Sequence, residues 1–134
     1  MQHCIVVADD DPVILELVKL RLGLADYDVL TASDAIAASV MVRNKGPAAV
    51  ILDVQMPGGG GLSMLSKIRS DPNTATLPVM MLTGERSILT VMRAMEDGAN
   101  DYMIKPFHPD ALLERVTRMV TGSEQKSTAV VWEL

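Results

Sequence analysis

Residues 4–12 read CIVVADDDP, an apolar run that passes directly into three carboxylates and a proline. The run lacks the alternation of apolar and polar residues that a half-exposed strand shows, which is typical of a strand covered on both faces. Pro12 suits the first turn of a helix, where a backbone N–H has no partner within the helix. The stretch therefore predicts a buried β-strand, an acidic loop and a helix, in that order.

The same strand–helix unit recurs four more times along the chain. We predict strands at Cys4–Ala8, Asp28–Ala32, Ala48–Leu52, Val79–Leu82 and Asp101–Ile104, and helices at Pro12–Leu24, Ser33–Asn44, Gly61–Ser70, Glu85–Asp97 and Pro109–Val120. A repeated βα unit predicts a parallel sheet between two layers of helices, which is an α/β three-layer sandwich. We expect one domain over residues 1–120 and a C-terminal tail over residues 121–134, which ends in an apolar tip around Trp132.

The composition limits the classes of protein to which the chain can belong. Hydrophobic residues make up 49% of the 134 residues, which excludes a disordered chain. Ten methionines against four aromatic side chains predict a core of aliphatic residues and methionine. The net charge of −5 argues against direct nucleic-acid binding, because such binding needs a basic surface. The single cysteine, Cys4, excludes an internal disulfide.

The sequence also carries no sign of membrane targeting. No apolar run approaches the roughly 18 residues that a membrane-spanning helix needs. The first residues lack the basic start and the long apolar stretch of a signal peptide. We therefore expect a cytoplasmic protein of bacterial type that does not contact a membrane.

Charged and hydroxyl residues follow the ends of four predicted strands. Asp9–Asp11 follow the first strand, Asp53 the third, Thr83 the fourth and Lys105 the fifth. Because functional groups of open parallel sheets gather at the carboxyl ends of the strands, we expect these side chains to meet if their strands are neighbours. Each piece alone has an ordinary structural explanation: an aspartate before a helix is often its cap, and an aspartate after a strand often forms a turn.

Together, the same residues point to phosphoryl transfer. Carboxylates that lie close together raise one another's pKa, so the cluster needs protonation or a hard cation such as Mg²⁺. An ammonium group, a hydroxyl and a metal around one carboxylate are the groups that spread the charge of a phosphoryl group during its transfer. An aspartate can itself be the nucleophile and form an acyl phosphate. The pattern therefore indicates phosphorylation of an aspartate.

Four motifs in this order resemble the receiver domain of response regulators, the phosphoacceptors of two-component signalling. They are IVVADDD at residues 5–11, DVQMP at 53–57 with Gly61 eight residues after Asp53, LTG at 82–84 and GANDYMIKPF at 98–107. The resemblance covers residues 4 to about 120, nearly the whole chain. It implies a flavodoxin-like (βα)5 fold whose strand order is 2-1-3-4-5.

The resemblance also implies a role for each matching residue. Asp53 would be the phosphoacceptor, and it would bind Mg²⁺ directly together with Asp10 and the backbone carbonyl of Gln55, with Asp9 acting through water. Thr83 would donate its hydroxyl to the phosphoryl group, and Lys105 would pair with it. The bond between Lys105 and Pro106 would be cis. Tyr102 would be the aromatic switch residue that turns inward when Thr83 moves toward the phosphate.

The implied function is a phosphorylation-dependent signalling switch of a two-component system or phosphorelay, and not a conventional enzyme. A histidine kinase or a histidine phosphotransfer protein would phosphorylate Asp53, and the Mg²⁺-dependent chemistry of the site would include self-phosphorylation and autodephosphorylation. The surface of the fourth helix, fifth strand and fifth helix would then change for a downstream protein partner. Leu89, Arg93 and Glu96 are candidates for that surface. We expect a monomer or a phosphorylation-dependent homodimer.

Three further expectations concern the glycine loop, the rate of dephosphorylation and the extent of the protein. Gly58–Gly61 predict a mobile loop beside the site, since glycine restricts the backbone least. Gln55 and Glu85 occupy positions that tune the rate of dephosphorylation in the family. The chain starts just before the first strand and carries an apolar tip in Ala129–Leu134. Both features favour a single-domain regulator, and not a piece of a longer chain. We expect its tail to dock on the domain or on a partner.

Two other functions use some of the same residues. Asp9–Asp11 contain the Asp-x-Asp pattern of haloacid-dehalogenase phosphatases, which use an aspartate nucleophile, but Pro12 and Val13 follow where that class has Gly or Thr. A flavodoxin-like carrier of flavin mononucleotide shares the fold. The acidic loop after the first strand would repel the phosphate of that cofactor, so the flavin carrier is the weaker alternative.

Overall fold

A parallel five-stranded sheet forms the centre of the molecule. The computed structural model describes residues 3–84 and 88–122. The strands, in the spatial order β2-β1-β3-β4-β5, and the helices that alternate with them along the chain have the following bounds: β1 Cys4–Ala8, α1 Pro12–Gly23, β2 Asp28–Ala32, α2 Ala35–Lys45, β3 Ala49–Asp53, α3 Gly60–Ser70, β4 Val79–Thr83, α4 Ile88–Glu96, β5 Asp101–Ile104 and α5 Pro109–Thr121. All four strand pairings are parallel, which confirms the predicted fold class and strand order.

Two separate hydrophobic cores lie on the two faces of the sheet. Alternate residues of β1 point to opposite sides, so that Val6 packs in one core and Ile5 and Val7 in the other. The first core, which we call the α2-α3-α4 core, contains buried residues of those three helices, and the second, the α1-α5 core, contains buried residues of the other two. Methionine fills both cores, as the composition predicts: Met56, Met64 and Met81 in the first, Met80 and Met103 in the second.

The predicted element bounds shift where a side chain caps a helix. The second helix begins at Ala35 and not at Ser33, because the Asp34 side chain accepts a hydrogen bond from Ala37 N at 2.8 Å and forms the N-cap. Asp11 caps α1 in the same way, through a 2.9 Å bond from Val13 N. Of the predicted fourth helix, Ile88–Glu96 is helical, while residues 85–87 lie outside the described residues.

The end of the chain is described only in part. Helix α5 ends at Thr121 and is followed by Gly122, whose positive φ of 68° is typical of a glycine that ends a helix. Residues 123–134, which include most of the predicted tail, lie outside the described residues. Within the described residues, the helices are too short or too polar to cross a bilayer.

Candidate functional site

Four neighbouring strands carry the predicted site residues to one edge of the sheet. Asp9 follows β1, Asp53 ends β3, Thr83 ends β4 and Lys105 follows β5. Because these strands are parallel and adjacent, their carboxyl ends lie side by side. The backbone ties the last two together, since Lys105 N donates a hydrogen bond of 2.8 Å to Thr83 O. The convergence expected from the sequence is therefore present.

One ammonium group bridges two buried carboxylates at this edge. Lys105 Nζ lies 2.7 Å from Asp9 Oδ2 and 3.4 Å from Asp53 Oδ2. Asp9 is completely buried, and Asp53 is 5% exposed. The other oxygen of each carboxylate accepts a backbone N–H: Asp9 Oδ1 from Asp11 N at 2.9 Å, and Asp53 Oδ1 from Gln55 N at 3.4 Å. The two carboxylates are therefore fixed in place by the chain and by a single shared cation.

The acidic residues also fit a divalent cation. Asp10, which is exposed, joins the pair, and carboxylate oxygens of Asp9, Asp10 and Asp53 lie within 4.8 Å of one another. The buried Asp9 Oδ2 has no hydrogen-bond partner among the described residues, so its contact with Lys105 Nζ supplies opposite charge but not a directed hydrogen bond. Three carboxylates against one ammonium leave excess negative charge, and oxygen ligands of this kind are the ones that Mg²⁺ binds. The donor set therefore fits Mg²⁺.

The electrostatics of the site reflect this excess of negative charge. Burial, followed by the charge of Asp9, raises the pKa of Asp53 to about 6, although the Lys105 ammonium and the Gln55 backbone N–H oppose the shift. Burial alone would lower the pKa of Lys105, but the close contact of its ammonium group with Asp9 Oδ2 and the charges of Asp53 and Asp9 outweigh it and raise the pKa. Without a metal, Asp53 therefore holds its proton more tightly than an exposed aspartate does.

The loop after β3 approaches Asp53 closely. Gly61 N donates a 3.0 Å hydrogen bond to Val54 O, and a Cβ at Gly61 would collide with the backbone carbonyl oxygen of Asp53. Gly58, Gly59 and Gly60 all have positive φ, at 86°, 105° and 82°. Such a sequence of left-handed residues needs glycine, which explains the run in the sequence. The mobility of this loop stays a prediction.

The remaining predicted residues lie around this centre. Thr83 is buried at the end of β4, and exposed Gln55 lies in the bend directly after Asp53. Tyr102 lies opposite Met81 in the pairing of β4 with β5, and it is half-buried against the α2-α3-α4 core. The bond between Lys105 and Pro106 is cis, as the resemblance implies. The structure thus brings Asp9, Asp10, Asp53, Thr83 and Lys105 to one edge, while Tyr102 lies further back, as the second residue of β5. The individual roles of these residues stay predictions.

Two polar clusters at the start of β5 were not predicted from the sequence. Asp101 is buried and pairs with Arg115 of α5 at 3.0 Å, and burial raises its pKa although the arginine opposes this. Arg69 of α3 contacts the segment that precedes β5. Asp101 and Asn100 stand inside the quoted motif at residues 98–107, but their partners are single arginines on helices. Nothing in the spacing of those arginines distinguishes them from solvated charges.

Comparison with known proteins identifies the family. A family model described as the response regulator receiver domain matches residues 5–117. The chain belongs to this family. Receiver domains act in phosphorylation-dependent signalling by two-component systems, where they are phosphoacceptors and not conventional enzymes, and they generally bind Mg²⁺ at an aspartate cluster. Nothing in the family match favours the haloacid-dehalogenase phosphatase.

Individual relatives of this receiver domain agree with the family match. The DNA-binding dual master transcriptional regulator RpaA of Synechocystis sp. is 34% identical over 121 residues, which are 90% of this chain and 50% of RpaA. The DNA-binding response regulator MtrA of Mycolicibacterium smegmatis is 32% identical over 126 residues, 94% of this chain and 54% of MtrA. The solved structure of the chemotaxis response regulator CheY4 of Vibrio cholerae is 28% identical, with a TM-score of 0.84 over 89% of this chain and 99% of CheY4.

These relatives correct one expectation about partners. The acidic composition led to the prediction of no direct nucleic-acid binding. RpaA and MtrA are DNA-binding regulators, and this receiver domain spans about half the length of each. The prediction is wrong because the net charge of −5 describes these 134 residues only. A receiver domain can be acidic while a separate domain of a longer regulator is basic, so its charge says nothing about such a domain.

Proposed function

We propose that this receiver domain accepts a phosphoryl group on Asp53 from the phosphohistidine of a histidine kinase or of a histidine phosphotransfer protein. The supporting observation is the position of Lys105 Nζ between the buried carboxylates of Asp9 and Asp53, at 2.7 and 3.4 Å, with the exposed Asp10 beside them. A carboxylate, an ammonium group and additional acidic oxygens at one point are what transfer of a phosphoryl group to an aspartate needs.

In the transfer, an oxygen of the Asp53 carboxylate attacks phosphorus. The new O–P bond forms as the P–N bond to the donor imidazole breaks, and the imidazole nitrogen keeps the electron pair and takes a proton from solvent. Asp9, Asp10, Asp53 and the Gln55 backbone carbonyl would hold Mg²⁺, which when bound supplies positive charge to the phosphoryl oxygens. Lys105, whose Nζ lies 3.4 Å from Asp53 Oδ2, supplies a second positive charge. This charge belongs to the protein and does not depend on the metal.

The phosphorylated site then changes the surface formed by α4, β5 and α5. Thr83 ends the strand next to Asp53, so its hydroxyl can turn to the new phosphoryl group. Tyr102 packs against the core that contains Ala94 of α4, so a movement of Thr83 and Tyr102 changes the support of this helix. Leu89, Arg93 and Glu96 lie exposed on α4, where another domain or protein can contact them.

Phosphorylation with acetyl phosphate tests the proposal without a cognate kinase. Intact-protein mass spectrometry should show one added phosphoryl group per chain with Mg²⁺, and none with EDTA or in Asp53→Asn. Asp28→Asn is the matched control, because Asp28 is an exposed aspartate at the start of β2, far along the strand from the site. Labelling of Asp53→Asn equal to that of the wild type would refute the proposal. Many turnovers on p-nitrophenyl phosphate would favour the phosphatase instead.

A further inference from the structure

Arg69, near the C-terminal end of α3, joins three segments at the edge of the sheet opposite to Asp53. Its Nε donates to Gly98 O at 2.9 Å, Nη1 to Leu77 O at 2.7 Å and Nη2 to Asn100 Oδ1 at 2.9 Å. Leu77 precedes β4, while Gly98 and Asn100 lie between α4 and β5. A planar guanidinium can satisfy three acceptors in one fixed geometry, which a lysine ammonium on a flexible stem does not reproduce.

Asn100 extends this cluster into the sheet. Its Oδ1 also accepts a hydrogen bond from Val79 N at 2.8 Å, and its own backbone N donates to Val79 O at 2.8 Å. The entries of β4 and β5 are therefore held to each other and to Arg69. Gly98 has a φ of 104°, and a Cβ there would come within 2.9 Å of Arg69 Nε, so the backbone passes the guanidinium at a distance that only glycine allows.

The end of α4 is consequently held firmly. Gly98 N and Ala99 N donate to the carbonyl oxygens of Met95 and Ala94, at 3.1 and 3.0 Å, and the next carbonyl in the turn, that of Gly98, accepts from Arg69. These bonds fix the C-terminal end of α4 to α3 and to the entries of β4 and β5. The anchored end lies at the edge of the sheet away from Asp53, Thr83 and Lys105.

The body of α4 is held less firmly than its end. Val91 and Ala94 are its buried residues, whereas four large apolar side chains, Ile88, Leu89, Met92 and Met95, are between 39% and 73% exposed. Few buried apolar side chains mean that a helix can shift at small free-energy cost. Helix α4 begins five residues after Thr83. Its N-terminal end is therefore the end that is nearer along the chain to the phosphorylated site.

We infer that Arg69 is a positioning residue that anchors the C-terminal end of α4, so that phosphorylation moves the helix at its N-terminal end about this fixed point. The inference rests on the proposed function, because it takes Asp53 phosphorylation as the event that moves α4. In this proposal, Arg69 does not contact the phosphoryl group. Loss of the anchor should leave phosphorylation itself unchanged and should alter only where the helix responds.

The test compares backbone amide chemical shifts of the full chain in Mg²⁺ alone and in Mg²⁺ with beryllium trifluoride, a stable mimic of the phosphoryl group. In the wild type, the shifts of Ile88–Met92 should change strongly and those of Asp97–Ala99 little. In Arg69→Lys, the changes should spread to Asp97–Ala99, and hydrogen exchange there should become about tenfold faster, which corresponds to about 1.4 kcal/mol. Lys67→Gln is the matched control, since Lys67 is an exposed cation on the same helix with no ion pair among the described residues.

Each outcome is decisive. Wild-type shifts that change as much at Asp97–Ala99 as at Ile88–Met92 would overturn the inference, and this measurement needs no variant. An Arg69→Lys protein that matches the wild type in shift pattern and in exchange would overturn it as well. If beryllium trifluoride leaves the amides of Asp53 and Thr83 unchanged in the wild type, the proposed function fails. Hydrogen exchange in Mg²⁺ alone then still tests whether Arg69 anchors α4. Unchanged protection of Asp97–Ala99 in Arg69→Lys would show that it does not.

Discussion

Lys105 Nζ lies 2.7 Å from Asp9 Oδ2, a fully buried oxygen that has no hydrogen-bond partner among the described residues. The pair is therefore held by charge in a place where the charge of Asp9 is poorly solvated. The same ammonium lies 3.4 Å from Asp53 Oδ2, so one cation moderates two carboxylates. A cation shared in this way makes the stability of the fold and the chemistry of the site depend on the same few groups.

Removal of Lys105 should therefore destabilise the domain more than removal of an exposed lysine. In EDTA, we expect Lys105→Met to lower the free energy of unfolding by about 3 kcal/mol, because two buried carboxylates lose their cation. Protonation of Asp53 limits the loss, and Mg²⁺ should restore part of it. Urea unfolding with and without Mg²⁺ measures the effect, with Lys19→Met, at an exposed position on α1, as control. Equal losses in the two variants would contradict this account.

The pH dependence of stability should reveal the raised pKa of Asp53. The pKa of about 6 lies above the ordinary value of 3.8, so the folded state binds the proton more tightly than the unfolded state does. This stabilisation is complete below about pH 4 and is lost as the pH rises through about 6. In EDTA, Asp53→Asn should therefore gain stability relative to the wild type between pH 4 and pH 7, by at most about 3 kcal/mol.

Thermal unfolding of both proteins at pH 4.5 and pH 7 measures this difference. Mg²⁺ at pH 7 should reduce it, because the metal offsets the charge that Asp53→Asn removes. A difference between the two proteins that stays constant with pH would show that Asp53 titrates like an exposed aspartate.

Two glycine substitutions should have opposite effects on stability. Gly61→Ala places a Cβ against the carbonyl oxygen of Asp53 and should cost about 2 kcal/mol or more. Gly23→Ala, in α1, meets no atom within 4 Å and should stabilise the fold by about 0.5–1 kcal/mol, because alanine favours helix more than glycine does. Guanidinium unfolding compares the two. A Gly61→Ala protein as stable as the wild type would mean that the loop moves away from Asp53 without cost.

Two ion pairs on α5 should differ strongly in importance. Arg115→Met leaves the buried Asp101 without its cation and should destabilise by about 3 kcal/mol at pH 7. Glu114→Gln breaks an exposed pair with Arg118 and should cost less than about 0.5 kcal/mol. Because burial raises the pKa of Asp101, the loss in Arg115→Met should be smaller at pH 5. Chemical denaturation of both variants at the two pH values measures the two losses of unfolding free energy. Equal losses would show that the burial of Asp101 does not make its ion pair the more important one.

The strands were predictable because each is a short, almost wholly apolar run. The predicted bounds of β1, β2 and β5 match those observed. Strand β3 is shifted by one residue and includes Asp53, which pairs with Leu82, and β4 runs one residue further, to Thr83. The predicted start of α2 was wrong because the Asp34 side chain caps the helix by accepting a hydrogen bond from Ala37 N. The local sequence alone does not tell whether Asp34 is the cap or a residue of the helix.

The site was predictable in its members and not in its energetics. Parallel neighbouring strands bring Asp9, Asp53 and Lys105 together wherever the order is 2-1-3-4-5, and the resemblance to receiver domains implied that order. Which oxygen is buried without a hydrogen bond depends on side-chain packing that no spacing records. Arg69 was overlooked for the same reason, since two of its three acceptors lie 29 and 31 residues away along the chain.

The division of the interior into two cores has a consequence for how the domain tolerates change. Residues such as Val6 and Val7 are neighbours along the chain, yet the sheet places their side chains in different compartments. Substitutions in the α1-α5 core and in the α2-α3-α4 core share few partners, so their costs should be largely additive. Repacking of the layer that contains Tyr102 and α4 can therefore leave the buried side chains of the α1-α5 core largely unchanged.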